Sequence, residues 1–156
     1  MNRLMKSRNQ RGQLKVLVAH SSPSFGRTCA ELVSSGRGAR LAAITTSASE
    51  TLREAGRVRP DVIFLGTRLR GANGLNLLLA CKRQLPAACV IMVAERSGAP
   101  AMMKYLAAGA DLFIGRPDAM HQVPKILRHL ARRRVHRRVA GDLGHRVPGR
   151  RTAGME

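Results

Sequence analysis

The fold turns on the stretch Arg59-Pro60-Asp61-Val62-Ile63-Phe64-Leu65-Gly66. From Val62 to Leu65 it is apolar with no polar alternation. A strand with one wet face alternates; a run like this fits a strand covered on both faces, as in a parallel sheet. Similar runs lie on either side: Leu14–Ala19 and Leu41–Ile44 before it, Cys89–Val93 and Leu112–Ile114 after it. Their starts are 27, 21, 27 and 23 residues apart, which leaves room for one helix in each gap.

The gaps carry helical patterns. Ser22-Pro23 offers an N-cap with proline at the first helical position, followed by Phe25, Cys29, Leu32 and Val33 at helical spacing. Ser49-Glu50 opens a second helix with Leu52 and Ala55 inward. Asn73-Gly74 opens a third, carrying Leu75, Leu78, Leu79 and Lys82. Pro100 opens a fourth with Met102, Met103, Leu106 and Ala107, stopped by Gly109. A fifth is expected from about Met120 to Arg134, starting late or bent because of Pro124. Strand and helix thus alternate five times. Right-handed crossovers make this an α/β fold: a five-stranded parallel sheet, open and doubly wound, with helices on both faces.

The 156 residues suit one domain with short tails, and 44% apolar content is enough for a core. Aromatics are only 3%, so the core is expected to rest on aliphatic residues and Met. The net charge of +19 points to an anionic partner. Much of it is terminal: residues 128–156 carry nine basic and two acidic side chains. The domains expected are a basic arm 1–13, a folded unit 14–134 and a basic, disordered tail 135–156. Cys29, Cys81 and Cys89 are odd in number and lack metal spacing, so they read as buried thiols in a reducing compartment. No apolar run is long enough for a membrane span or signal peptide, and a cytoplasmic protein is expected.

Six segments, in order, resemble the CheY-like receiver domain of bacterial response regulators. They are Lys15-Val16-Leu17-Val18 with Ser22-Pro23, Arg59-Pro60-Asp61-Val62-Ile63, Gly71-Ala72-Asn73-Gly74-Leu75, Val90-Ile91-Met92, Ala108-Gly109-Ala110-Asp111, and Phe113-Ile114-Gly115-Arg116-Pro117. The resemblance covers roughly residues 15–132 and implies a flavodoxin-like sheet, in agreement with the periodicity. It also implies a pocket whose chemistry this chain lacks. The acidic pair that holds Mg²⁺ in such domains corresponds to Ala19 and His20, and the phosphoaccepting Asp to Gly66. The pocket hydroxyl corresponds to Ala94, and the pocket Lys to Arg116. Glycine has no nucleophile, and a site without carboxylate oxygens is a poor one for Mg²⁺. The switch aromatic corresponds to Phe113 and is kept. The resemblance therefore implies a degenerate pseudo-receiver without Mg²⁺ or cofactor.

Each remaining signal has two readings. His20 is either an acid–base group or, lacking a partner in the sequence, a structural or solvated histidine. Arg68, Arg70, Arg96 and Arg116 either converge as an anion-binding rim or face solvent. Arg132, Arg133, Arg134, Arg137 and Arg138 either contact a polyanion or form a solvated helix end. Met102 and Met103 either belong to a partner face built, as in the family, from helix 4, strand 5 and helix 5, or pack in the core. No Ser-His-Asp set, phosphate-cradling Gly loop or metal cluster is present, so an enzyme is not expected. The sequence thus reads as a signalling module that binds a protein partner, or a second copy of itself, independently of phosphorylation. The alternative is a nucleic-acid or polyanion binder using basic tails.

Overall fold

The computed structural model describes residues 12–96 and 98–144. Five strands form one parallel sheet: β1 (Leu14–Ala19), β2 (Ala39–Thr45), β3 (Val62–Gly66), β4 (Cys89–Ala94) and β5 (Leu112–Gly115). Their order is β2-β1-β3-β4-β5, the flavodoxin-like order, which leaves a crevice where the winding reverses. The helices are α1 (Pro23–Ser35), α2 (Ala48–Val58), α3 (Gly74–Gln84), α4 (Ala99–Ala107) and α5 (Ala119–Gly144). A two-residue ladder, Arg68–Leu69 against Ala72–Asn73, joins β3 to α3.

Two apolar clusters cover the two faces of the sheet. Val16, Val18, Val62, Phe64, Ile91 and Val93 face α1 and α5. Leu17, Ile63, Leu65, Val90 and Met92 face α2 and α3. Successive strand residues point to opposite sides, so an unbroken apolar run supplies both layers at once. Every residue of β3 is buried.

Local chemistry sets the helix starts. Ser22 Oγ accepts from Phe25 N–H and Asn73 Oδ1 from Asn76 N–H, as the sequence predicts. α2 begins earlier than expected, because Ser47 rather than Ser49 accepts from Glu50 N–H. On α3 the inward pair is Leu77 and Leu78, while Leu79 is exposed. Gly74 is required by close approach: a Cβ there would lie 2.6 Å from the Thr67 carbonyl oxygen.

Two expectations for α5 need correction. A short 3-10 turn, Arg116–Asp118, leads directly into the helix, and Pro124 sits within its second turn. The helix starts at Ala119, within a residue of the expected Met120 and not late, and Pro124 leaves the Met120 carbonyl without its usual N–H. The helix also runs through to Gly144, across the boundary placed at 134/135. Residues 135–138 are Val, His and Arg, which tolerate helix well enough to continue it. The rest of the expected basic tail, and the arm to residue 11, lie outside the described residues.

Candidate functional site

The carboxyl ends of β1, β3, β4 and β5 meet at the crevice. Ala19 pairs with Leu65 in register, Gly66 with Val93, and Ala94 with Gly115. This register brings together the positions expected from the sequence: Ala19 and His20, Gly66, Ala94, and Arg116 just beyond β5.

His20 closes the centre. It is 4% exposed. Its Nδ1 accepts the Ser22 N–H at 3.0 Å, which puts the neutral ring's proton on Nε2. Nε2 lies 3.6 Å from Glu95 Oε1. Burial lowers the His20 pKa below its ordinary 6.5; Glu95 opposes this and Arg116 adds to it. The ring also packs on Phe25, with centroids 4.4 Å apart.

A charged lid lies over the ring. Arg116 Nη1 donates to both oxygens of Glu95, at 3.3 and 3.2 Å. Its guanidinium carbon sits 5.3 Å from the centroid of Phe25, a cation–π distance. The sequence gave His20 no partner. The missed signal was register: because Ala94 and Gly115 are paired, the residues that follow them, Glu95 and Arg116, project side by side.

The floor of the crevice is Gly66. A Cβ built on it would lie 3.0 Å from His20 Cδ2, so the ring occupies the space into which a side chain at 66 would extend. The oxygens of a divalent-cation site are missing. Ala19, His20 and Gly66 carry no carboxylate, and Glu95 is engaged by Arg116. Among the described residues no three His, Cys, Asp or Glu side chains gather as a metal site. Mg²⁺ does not fit these residues. Asp61 and Asp111 stand at the opposite, amino ends of the strands, just before β3 and β5. There Asp61 Oδ2 accepts from Lys15 N–H and Asp111 Oδ2 from Val90 N–H, both at 2.8 Å.

The expected rim of four free arginines is altered. Arg116 is turned to Glu95. Arg70 Nη2 donates to Thr46 Oγ1 at 3.2 Å. Arg68 lies near Tyr105, whose pKa is raised by burial against that charge. Arg96 is exposed. Phe113 is half-buried and stacks on Tyr105, with centroids 5.9 Å apart. Neither Met102 nor Met103 packs in the core: they are 38% and 68% exposed, and no residue of α4 is buried. α4 closes over a sheet edge whose facing residue, Leu112, is itself 40% exposed.

On α5, Arg132, Arg133 and Arg137 are exposed. Arg134 is not available as expected. Its Nη1 donates to Asp61 Oδ2 at 2.8 Å and to the Gln13 carbonyl at 3.3 Å, which fastens α5 to the amino ends of β1 and β3. Burial pushes the thiols of Cys29, Cys81 and Cys89 up to about 11, so all three are poor nucleophiles. Among the described residues no helix is long and apolar enough to cross a membrane.

A doubly wound α/β unit with its crevice at the carboxyl strand ends is thus defined. Residues 16–128 match the response regulator receiver domain, and the chain belongs to that family. It is 29% identical over 116 residues to protein-glutamate methylesterase/protein-glutamine glutaminase 6 of Anaeromyxobacter dehalogenans, covering 73% of this chain and 32% of that protein. It is 30% identical over 92 residues to the probable transcriptional regulatory protein TcrX of Mycobacterium tuberculosis, covering 58% of this chain and 39% of that one. The chain thus spans about a third of the length of these curated relatives. Among solved structures, the response regulator domain of Thermotoga maritima CheB superposes with TM-score 0.67 at 23% identity, over 80% of this chain and 97% of that one. The receiver domain of the putative response regulator NarL from Mycobacterium tuberculosis gives 0.69 at 18%, over 77% and 97%. At these identities the likeness is one of fold.

Proposed function

We propose that this receiver-fold module signals by binding a protein and takes no part in phosphoryl transfer. The observation that carries this reading is the pairing of Gly66 with His20. The residue in the phosphoacceptor's place has no side chain, and a buried imidazole fills the room above it. A phosphoryl group needs an acceptor oxygen and cations around it. Arg116, just beyond β5, already has its carboxylate in Glu95.

The contact surface is the face formed by α4, β5 and the start of α5. Met102, Met103, Leu106, Leu112 and Met120 are all at least 38% exposed there. Adaptable methionines suit a protein partner, and the high positive charge favours one with acidic residues around its apolar contacts. A second copy of this chain is the less suited partner, because two strongly positive surfaces repel.

Acetyl phosphate with Mg²⁺ tests the reading by intact mass. The expected result is an unmodified chain with an unchanged amide NMR spectrum. A phospho-adduct on any aspartate overturns it.

The exposed Arg132, Arg133 and Arg137 along the extended α5 favour a second reading, contact with nucleic acid; the side chain of Arg138 lies outside those described. Each phosphate neutralised on duplex DNA steepens the salt dependence by about 0.9 in log–log slope. Replacing these arginines by alanine then flattens the slope; a salt-insensitive, unaltered affinity rejects it.

A further inference from the structure

A groove between α1 and α5 is separate from the rim described above. It lies where the end of α1 and the turn into β2 face the middle of α5. It holds about 510 Å³, within the range of small-molecule sites, about 300–1,000 Å³. Its floor is apolar, with Leu32 from α1 and Leu127 and Ala131 from α5. Its rim carries Arg37 from the turn and Arg128 and Arg132 from α5, all exposed. No carboxylate lines it. Among the described residues none of these three guanidiniums has a carboxylate within 4 Å.

Arg128 and Arg132 stand one turn apart on the same helix face, where like charges repel. An anion between them relieves that repulsion, and a guanidinium fork matches the oxygens of a carboxylate or phosphate. An apolar floor under such a rim adds a demand for an apolar body. We propose that this groove binds an amphipathic organic anion. Arg37, Arg128 and Arg132 hold its carboxylate or phosphate head, and Leu32, Leu127 and Ala131 carry its apolar part. The proposal does not depend on the phosphorylation reading.

Amide NMR titrations of the full chain with decanoate, decyl phosphate and inorganic phosphate test it. The expected shifts are saturable and centred on residues 32–39 and 124–132. Inorganic phosphate is expected to bind at least about tenfold more weakly than decyl phosphate, having no apolar body. R128E/R132E is expected to weaken decyl phosphate by about tenfold or more. R133E/R137E, which lines a different cleft at the amino ends of the strands, serves as the charge-matched control and is expected to leave affinity nearly unchanged. R37E on the exposed turn repeats the test should the helix variant fold poorly. Vesicles containing phosphatidylglycerol separate the sources: binding abolished by R128E/R132E assigns a lipid headgroup, and its absence assigns a free anion. Shifts centred on residues 99–115, equal losses in both double variants, or no saturation overturn the proposal.

Discussion

At the scale of single residues the crevice is governed by His20 and Gly66, each of which accounts for the other. With 3.0 Å between His20 Cδ2 and a Cβ at position 66, Gly66→Ala must displace a ring pinned by Ser22 and Phe25. Overpacking of this kind costs about 1–3 kcal/mol, read as a lowered urea midpoint. In a His20→Ala background the same change is expected to cost much less, with a coupling of about 0.5–3 kcal/mol between the sites; simple additivity rejects the packing account. His20 also predicts a pH dependence. Its folded pKa lies below the ordinary 6.5. Above that value the ring is neutral in both states and contributes no slope. As pH falls below it, the unfolded chain takes up the proton first, so stability declines until the folded ring also protonates. Melting temperature is therefore expected to fall between pH 7 and pH 5, and His20→Leu to flatten that fall. An undiminished slope in the variant places the titrating group elsewhere.

At the scale of elements, backbone conformation makes its own prediction. Arg59 ends α2 in the left-handed region, at φ 49° and ψ 67°, where a Cβ costs about 1–2 kcal/mol and glycine is at ease. The side chain is exposed, so little is lost with it. Arg59→Gly is expected to raise stability by about 0.5–1 kcal/mol after glycine's own entropy cost, as a higher urea midpoint at constant m-value. A lower midpoint means that the arginine makes a contact worth more than the strain. Elements like these differ in how well the sequence reveals them. The five strands were legible because each holds a run of at least three consecutive apolar residues, and α1 and α3 because Ser22 and Asn73 cap them. The start of α2 was off by two residues because Ser47 and Ser49 are equally good caps and only the fold chooses between them. Leu79 was misplaced because three consecutive leucines blur a helical stripe. The reach of α5 was hidden because the basic run Arg132 to Arg138 and the glycines at 141 and 144 obscure the sparse apolar spacing of its far end. His20 and Glu95 are 75 positions apart, and only strand order brings them together. That position 66 carries no side chain was plain, since it rests on residue type alone.

At the scale of the whole molecule the dominant quantity is the charge of +19. Nine acidic residues face 28 basic ones, and Glu54, Glu95, Asp61 and Asp111 already have an arginine or lysine partner. Most remaining pairs of charges in the folded chain therefore repel. Folding concentrates that repulsion, since the compact state holds the cations closer together than the unfolded chain does. Salt screens both signs, with a range of about 10 Å at 0.1 M. The ion pairs in contact lose little, while the many long-range repulsions are removed. Sodium chloride is therefore expected to stabilise the fold. Between about 20 and 300 mM the melting temperature should rise by several degrees, a degree or more for each few tenths of a kcal/mol in a domain of this size. The arginine-rich end of α5 contributes through its repulsion of the domain body, so replacing Arg132, Arg133 and Arg137 by glutamine should raise stability at low salt and shrink the salt effect. Scanning calorimetry across that range decides the matter: a melting temperature that falls with salt means that attractive pairs outweigh repulsion, and the charge surplus then carries no penalty in the folded state.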